Sequence, residues 1–212
     1  MADFKFPTEV VELPSKGYFY TEGHPLTKGK VEIKYMTAKE EDILTSQNLI
    51  QQGTVIDVLL QSLIVDKTIK IDDMLVGDKN AIMVAARILG YGKEYQFTYG
   101  GEEQTADLSK LDAKEIDFSE FTKGMNEFSF DLPNSKRTVT FKLLNGKDEK
   151  NIASEIKAKQ RISKERSSEL TTRLKHMILS VDGKSEKSYI NNFVDNEFLS
   201  VDSLAFRQYL TS

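Results

Sequence analysis

A strong helical pattern lies at residues 54–64, which read TVIDVLLQSLI. The apolar side chains recur at intervals of three and four residues, as they do on one face of an amphipathic helix. Thr54 begins this helix directly after Gly53, which ends an earlier one. The earlier helix begins at residues 37–40, TAKE, which form a capping box, and it runs to about Ile50. The region therefore predicts two consecutive helices.

A third helix is predicted from about Asn80 to Leu89. Asp72 or Asp78 is its expected cap, and Gly90 is its expected end. Apolar residues lie on most sides of it, so it is expected to be buried.

Strand patterns flank this helical block. Residues 1–36 contain three prolines and several turn sequences, which predict an extended arm. The arm leads into an alternating strand at 31–35, VEIKY. After the helices, residues 95–99 alternate as YQFTY, and a second strand is expected near 105–108. Residues 127–130 and 138–143 flank LPNSK, which predicts a β-hairpin.

The C-terminal third becomes helical and polar. Apolar residues thin out between Asp148 and Val181, and none occurs between Ser163 and Glu169. A long helix that is polar all round must project, bridge or bind a partner. Further helices are expected around 189–194 and from Val201 onward. The predicted fold is α+β, divided into an arm and strand at 1–36, an α+β core domain at 37–146 and a helical region at 147–212.

The composition of the chain limits the classes of function that are possible. The chain has 212 residues, a net charge of −4 and no cysteine. The acidic balance disfavours nucleic-acid binding, and the absence of cysteine excludes disulfides and thiolate metal sites. No run approaches the roughly 18 apolar residues of a membrane span, and the start lacks a signal-peptide pattern. These features predict a cytoplasmic protein.

Catalytic patterns are scarce. His24 lies in a turn and His176 in a polar helix, and neither sequence context suggests a catalytic triad. The acids at 66–78 lack the spacing of a calcium loop. The sequence GYG at 90–92 follows a helix, which predicts a helix-ending turn and not a phosphate loop. We therefore expect no enzymatic activity and no cofactor.

Two surfaces are candidates for binding a partner. Residues 147–187 contain 11 basic and 7 acidic residues, which indicates an electrostatic site for an acidic partner. The same pattern fits a solvated helix face, which charged runs form more often. The apolar stripe of the first two helices could form a groove, although such a stripe is more often core. The candidate residues are Lys157, Lys159, Arg161, Lys164, Arg166, Leu170, Leu174, Ile50 and Leu59.

Ordered blocks across most of the chain resemble a known family. The blocks are LPSKGYFY at 13–20, GKVEI at 29–33, MTAKEEDILT at 36–45, GTVID at 53–57, GDKNA at 77–81, RILGYG at 87–92, LSVDG at 179–183 and DSLAFR at 202–207. They are similar to the baseplate hub assembly chaperones of contractile-tailed phages (myoviruses). Relatives often carry a Cys-x-x-Cys pair where this chain has YGGEE at 99–103, so no metal is expected here.

The resemblance implies a non-enzymatic role in virion assembly. Its expected partners are baseplate hub or tape-measure proteins in the host cytoplasm, during tail morphogenesis late in infection. Self-association stays open. The alternative is a structural subunit that is retained in the baseplate of the virion.

Overall fold

The structure is a computed structural model that describes residues 7–111, 114–162 and 168–211. The chain forms two compact units, Met1–Met125 and Asn126–Ser212. Helices and small antiparallel sheets make up both units, which confirms the predicted α+β class. The boundary at 125/126 differs from the predicted boundaries at 36/37 and 146/147. The reason is pairing between distant segments, since the arm forms a sheet inside the first unit and the hairpin at 128–141 forms one inside the second.

The first unit begins with a two-stranded sheet. Strand β1 (Thr8–Glu12) pairs antiparallel with β2 (Lys30–Lys34). Part of the predicted arm is therefore a regular strand, because β2 satisfies its backbone groups. The alternation in β2 buries Val31 and Ile33, as predicted.

Four helices follow: α1 (Ala38–Thr45), α2 (Gln47–Gln52), α3 (Val55–Leu63) and α4 (Val76–Tyr91). The single helix predicted to run from 37 to about 50 was wrong, because Ser46 has an extended backbone and separates α1 from α2. Helix α3 confirms the stripe predicted at 54–64, and it buries Leu59, Leu60 and Leu63.

The predicted capping box at the start of α1 is confirmed. The Glu40 carboxylate accepts hydrogen bonds from the Thr37 backbone N–H at 3.0 Å and from the Thr37 hydroxyl at 2.6 Å. Burial alone would raise the pKa of Glu40, but the Lys34 ammonium at 2.7 Å and the Thr37 donors lower it to about 2. The box therefore holds an ionised carboxylate against β2.

Helix α4 departs from three expectations. It continues through Gly90, its predicted end, to Tyr91, and Gly92 is the C-cap. Leu75 precedes it as the N-cap, and Asp78, a predicted cap, is buried inside its first turn and binds the arm. The helix is also only partly buried: Ile82 and Ala86 are enclosed, whereas Met83 is exposed. One face packs on the core, and the rest of its apolar surface stays accessible.

A hairpin completes the sheets of the first unit. Strands β3 (Glu94–Tyr99) and β4 (Glu102–Asp107) pair antiparallel and turn at Gly100 and Gly101. These bounds confirm the strand predicted at 95–99, whereas the second strand begins at Glu102, before its predicted start near 105. All six residues of β3 are exposed.

The second unit contains a three-stranded antiparallel sheet in the order β5-β6-β7. Strands β5 (Phe128–Asp131) and β6 (Thr138–Phe141) form the predicted hairpin. Strand β7 (Ile178–Val181) pairs with β6. The single helix predicted from 148 to 181 is therefore wrong at its end, because residues 178–181 are mostly β-branched or apolar and the sheet buries them.

The remaining helices surround this sheet. They are α5 (Gly146–Ile162), α6 (Glu169–Met177), α7 (Lys187–Asn192), which continues into a π-helix at Phe193–Glu197, and α8 (Ser200–Thr211). Helix α5 packs against α6 and buries Ile152, so the described part of the predicted polar helix is anchored on one side. The predicted apolar gap at 163–169 lies largely outside the described residues. The core joins sheet and helices through Val139, Phe141, Phe193 and Phe206.

Candidate functional site: an apolar cleft in the first unit

An open cleft of about 490 Å³ lies in the first unit. Its walls come from α1, α3, α4 and the base of the β3–β4 hairpin. The lining is almost entirely apolar: Met36, Leu44, Ile56, Leu59, Leu60, Met83, Val84, Ala86, Arg87, Tyr91, Tyr95 and Leu108. Its volume and lining are typical of a cleft that receives apolar groups of a ligand or a partner protein.

The helical periodicity of α3 and α4 produces this cleft. Leu59 and Leu60 are buried and form its floor, whereas Met83 is exposed at its edge. An amphipathic helix normally covers its whole apolar face with the core. Helix α4 has more apolar surface than the core covers, and the surplus lines the cleft.

Among the described residues of the lining, Arg87 alone is charged, and it joins α4 to β3. Its guanidinium donates to the backbone carbonyl oxygens of Gly92 at 3.0 Å and Glu94 at 3.4 Å. The same group lies 5.1 Å from the ring centroid of Tyr91 and 5.8 Å from that of Tyr95, within the range of cation–π attraction. Arg87 therefore positions both tyrosines at the rim of the cleft.

Gly90 lets Met36 reach the cleft. A β-carbon at position 90 would lie 1.8 Å from the terminal methyl of Met36, far inside van der Waals contact. The absence of a side chain at 90 leaves that space to the flexible methionine. Methionine adapts its shape to irregular apolar partners.

An aromatic stripe extends from the cleft along one face of the hairpin. Tyr95, Phe97 and Tyr99 alternate along β3, so their side chains project from the same face. All three are exposed, and Tyr99 reaches 77%. The Tyr95 and Phe97 rings stack with centroids 6.0 Å apart. Together with the cleft, the stripe gives the first unit a large exposed apolar surface, a feature that marks interaction sites.

The structure separates the two residues predicted on the apolar helical stripe. Leu59 lies in the floor of the cleft. Ile50 is 53% exposed on α2 but does not line the cleft. The cleft shares α3 with the predicted stripe of the first two helices, but α4 supplies the largest part of its described lining.

The predicted basic cluster is only partly described. Lys157 and Arg161 are exposed on α5, whereas Lys164 and Arg166 lie outside the described residues. Lys159 contacts Glu155 at 2.7 Å and donates to Thr172 at 2.9 Å. Hydrogen bonds from Lys159 and His176 lower the pKa of Glu155. Lys159 therefore helps join α5 to α6.

Leu170 and Leu174 have different environments on α6. Leu170 is 43% exposed, so it is accessible to a partner. Leu174 is 4% exposed and belongs to the core of the second unit. The prediction of Leu174 as a contact residue was wrong, because its side of α6 packs on the sheet.

The histidines have structural partners. His24 precedes the 3-10 helix Pro25–Lys28, accepts a hydrogen bond from the Leu26 N–H at 3.2 Å and stacks on Tyr20. His176 lies 2.9 Å from Glu155. Across residues 7–111, 114–162 and 168–211, no group of three or more His, Asp or Glu side chains is placed to hold a metal ion. None of the helices in this part of the chain combines the length and apolarity of a membrane crossing.

Sequence reasoning missed most of the cleft. It identified the apolar stripe of the first two predicted helices, including Leu59, but not Met36 before α1, Met83 and Arg87 on α4, or Tyr95 on β3. The apolar excess of α4 was the available signal, and it was interpreted as burial. No family model, curated protein or solved structure matches the chain.

Proposed function

We propose that this protein is an assembly factor for the baseplate hub of a phage tail. It binds a hub or tape-measure protein while the tail forms, and the apolar cleft of the first unit is its binding site. The observation that supports the binding role is the exposed apolar cleft with its aromatic stripe. The identity of the partner rests on the resemblance.

The two lines of support meet in the same residues. Three of the blocks that resemble the hub assembly family, at 36–45, 53–57 and 87–92, contribute side chains to the cleft. Those side chains are Met36, Leu44, Ile56, Arg87 and Tyr91. A shared surface is expected if the family uses this cleft to hold its partner.

The chemistry of the cleft suits transient binding of an apolar segment. Its methionines and aromatic rings adapt to different apolar side chains. Arg87 is held by the backbone oxygens of Gly92 and Glu94, so the rim needs little reorganisation on binding. An assembly factor needs such a surface because its partner must later leave for the growing tail.

A pull-down from infected cells tests the proposal. Tagged wild type should recover a hub or tape-measure protein. Met83→Lys places a charge at the edge of the cleft and should reduce that recovery at least about tenfold, which corresponds to roughly 1.4 kcal/mol. Val65→Lys is the matched control, since Val65 is equally exposed in the same unit but does not line the cleft.

Three outcomes would count against the proposal. Recovery of nucleic acid without any tail protein would exclude a baseplate role. Equal recovery by both lysine variants would exclude the cleft. A fixed copy number in purified virions, measured by quantitative mass spectrometry, would instead favour a structural subunit retained in the baseplate.

A further inference from the structure

The β3–β4 hairpin has an uncovered edge. Among the described residues, β3 pairs with β4 and with no other strand. Every residue of β3 is exposed. A two-stranded ribbon is only marginally stable in water, and an edge strand with open backbone groups is a template for another strand. The open edge of β3 can therefore pair with another strand, and such pairing would stabilise the hairpin.

The register shows which backbone groups face outward. The Leu108 N–H donates to the Lys93 carbonyl oxygen at 2.8 Å, one pair beyond the strand ends. Hydrogen-bonded and non-hydrogen-bonded pairs alternate along an antiparallel ladder. Odd-numbered residues of β3 therefore bond to β4, and Gln96 and Thr98 direct their N–H and C=O groups away from it. Glu94 directs its carbonyl the same way, and Arg87 already occupies that oxygen.

Charge distinguishes the two edges of the hairpin. Strand β4 has three acidic residues, Glu102, Glu103 and Asp107, whereas β3 has only Glu94. Two copies paired antiparallel through β4 about a two-fold axis at Thr105 would place Glu103 opposite Asp107. Like charges directly opposite each other are destabilising. The β3 edge lacks this obstacle.

We propose that β3 pairs antiparallel with β3 of a second copy, about a two-fold axis at Phe97. Gln96 of each copy then faces Thr98 of the other, and these pairs form four backbone hydrogen bonds. Phe97 faces Phe97 in a non-hydrogen-bonded pair, where side chains approach most closely. The result is a four-stranded sheet in the order β4-β3-β3-β4.

The side chains are self-complementary in this register. Tyr95 faces Tyr99 of the second copy on the same face as the Phe97 pair, so six aromatic rings form one continuous stripe. Aromatic cross-strand pairs are favourable. Glu94 faces Gly100, which avoids a like-charge contact. Because each β3 side chain meets a compatible side chain of the second copy, this register favours a homodimer over pairing with an unrelated extended segment.

The pairing is independent of the proposed baseplate function, since it requires only the purified chain. Sedimentation equilibrium of the full-length protein should give a mass twice the 24.1 kDa of one chain. Gln96→Pro removes one outward N–H from β3 and should reduce the mass to that of a single chain. Thr105→Pro is the matched control, because Thr105 lies directly opposite Gln96 and faces outward from β4. It should stay dimeric.

Oppositely charged variants at Phe97 test the two-fold axis. They also test the dimer without relying on the proline variants, which could lose the dimer by misfolding. Phe97→Lys and Phe97→Glu should each be monomeric, because each places like charges against each other. An equal mixture of the two should restore the doubled mass. Monomeric wild type at every concentration, dissociation of the Thr105→Pro control, or a mixture that stays monomeric would each overturn the proposal.

Discussion

At the scale of single residues, Asp78 joins the arm to the helical block. Its carboxylate accepts hydrogen bonds from the Ser15 N–H at 3.0 Å, the Ser15 hydroxyl at 2.6 Å and the Tyr20 hydroxyl at 2.6 Å. The Tyr20 oxygen in turn accepts from the Leu75 N–H at 2.9 Å. Burial and the neighbouring Asp78 raise the pKa of Tyr20, so its hydroxyl stays a donor. The buried carboxylate of Asp78 thus accepts hydrogen bonds from donors some sixty residues away in the sequence.

Asp78→Ala should strongly destabilise the first unit. The substitution leaves the Ser15 and Tyr20 hydroxyls buried without an acceptor, which costs about 3 kcal/mol. Urea unfolding of the full chain, followed by circular dichroism, measures the change in free energy. Asp73→Ala is the control, since Asp73 is exposed, and it should change stability by less than about 0.5 kcal/mol. Equal effects of the two substitutions would contradict the buried network.

Asp202 has a comparable role in the second unit. Its carboxylate accepts from the Asn134 N–H at 2.8 Å, the Asn134 side-chain amide at 3.0 Å and the Ser135 N–H at 2.9 Å. Burial alone would raise its pKa, but these donors lower the pKa of Asp202 from its usual 3.8 to about 2. The ionised form therefore holds the hairpin turn on α8.

This lowered pKa predicts a pH-dependent stability. Because the folded pKa is below the unfolded one, the carboxylate stabilises the fold above about pH 4, and that contribution is lost as the pH falls towards 2. Asp202→Asn should be less stable than wild type at neutral pH, and the gap should narrow across that window. Urea unfolding at a series of pH values measures it. A gap of constant size would show that the carboxylate does not titrate as described.

At the scale of helices and strands, α4 combines intrinsic helix preference with a tertiary constraint. Glycine is about 1 kcal/mol less favourable than alanine inside a helix, yet Gly90 lies within α4. The terminal methyl of Met36 occupies the space that an alanine side chain would need. Packing of the distant residue Met36 against position 90 thus explains why glycine, a weak helix former, occurs inside α4.

A double-mutant cycle separates the two effects. Gly90→Ala should stabilise the protein by up to about 1 kcal/mol when Met36 is replaced by alanine. In the wild-type background the gain should be smaller by roughly 0.5 kcal/mol or more, because the methionine must move. Thermal or urea unfolding of the four proteins measures this coupling. Additive effects would mean that the two residues do not compete for the space.

Local patterns predicted most elements, and their failures have a common cause. Helix α3, strand β3 and the hairpin at 128–141 follow from periodicity and turn residues. The pattern failed at Ser46, which breaks a predicted helix, and at Ile178–Val181, which forms a strand. Short segments have weak intrinsic preferences, so pairing with distant strands or packing against other elements overrides them.

At the scale of the whole molecule, each unit has its own core. The core of the second unit includes Leu132, Phe193 and Phe206, and the partly buried Phe128 and Leu210 of the same unit pack against it. Its three-stranded sheet is complete only when β7 pairs with β6 of the hairpin. These contacts predict that the second unit can fold without the first.

A fragment of residues 126–212 should therefore fold alone. We expect helical and strand signals in circular dichroism and one cooperative urea transition, as in small single domains. A fragment of residues 126–177 lacks β7 and the helices that follow, so it should show no cooperative transition. A disordered 126–212 fragment would show that the second core is insufficient.

The cleft also belongs to this scale, since its lining comes from five separate segments between Met36 and Leu108. Apart from Arg87 its described lining residues are ordinary apolar side chains, and they form no sequence motif. Sequence reasoning predicted the helices that carry Leu59 and Met83 but could not place the uncovered part of α4. Whether an apolar face is core or surface depends on what else packs on it.

The sequence by itself determined the α+β class, the helical stripe at 54–64, the capping box at Thr37 and the hairpin at 128–141. These follow from short-range physics, since hydrogen-bonding caps, glycine turns and side-chain periodicity act within a few residues. Only the tertiary structure decided that Asp78 is a buried acceptor, that Leu174 is core, that β3 has an open edge and that α4 lines a cleft. Each of these depends on contacts between residues far apart in the chain, which no local pattern specifies.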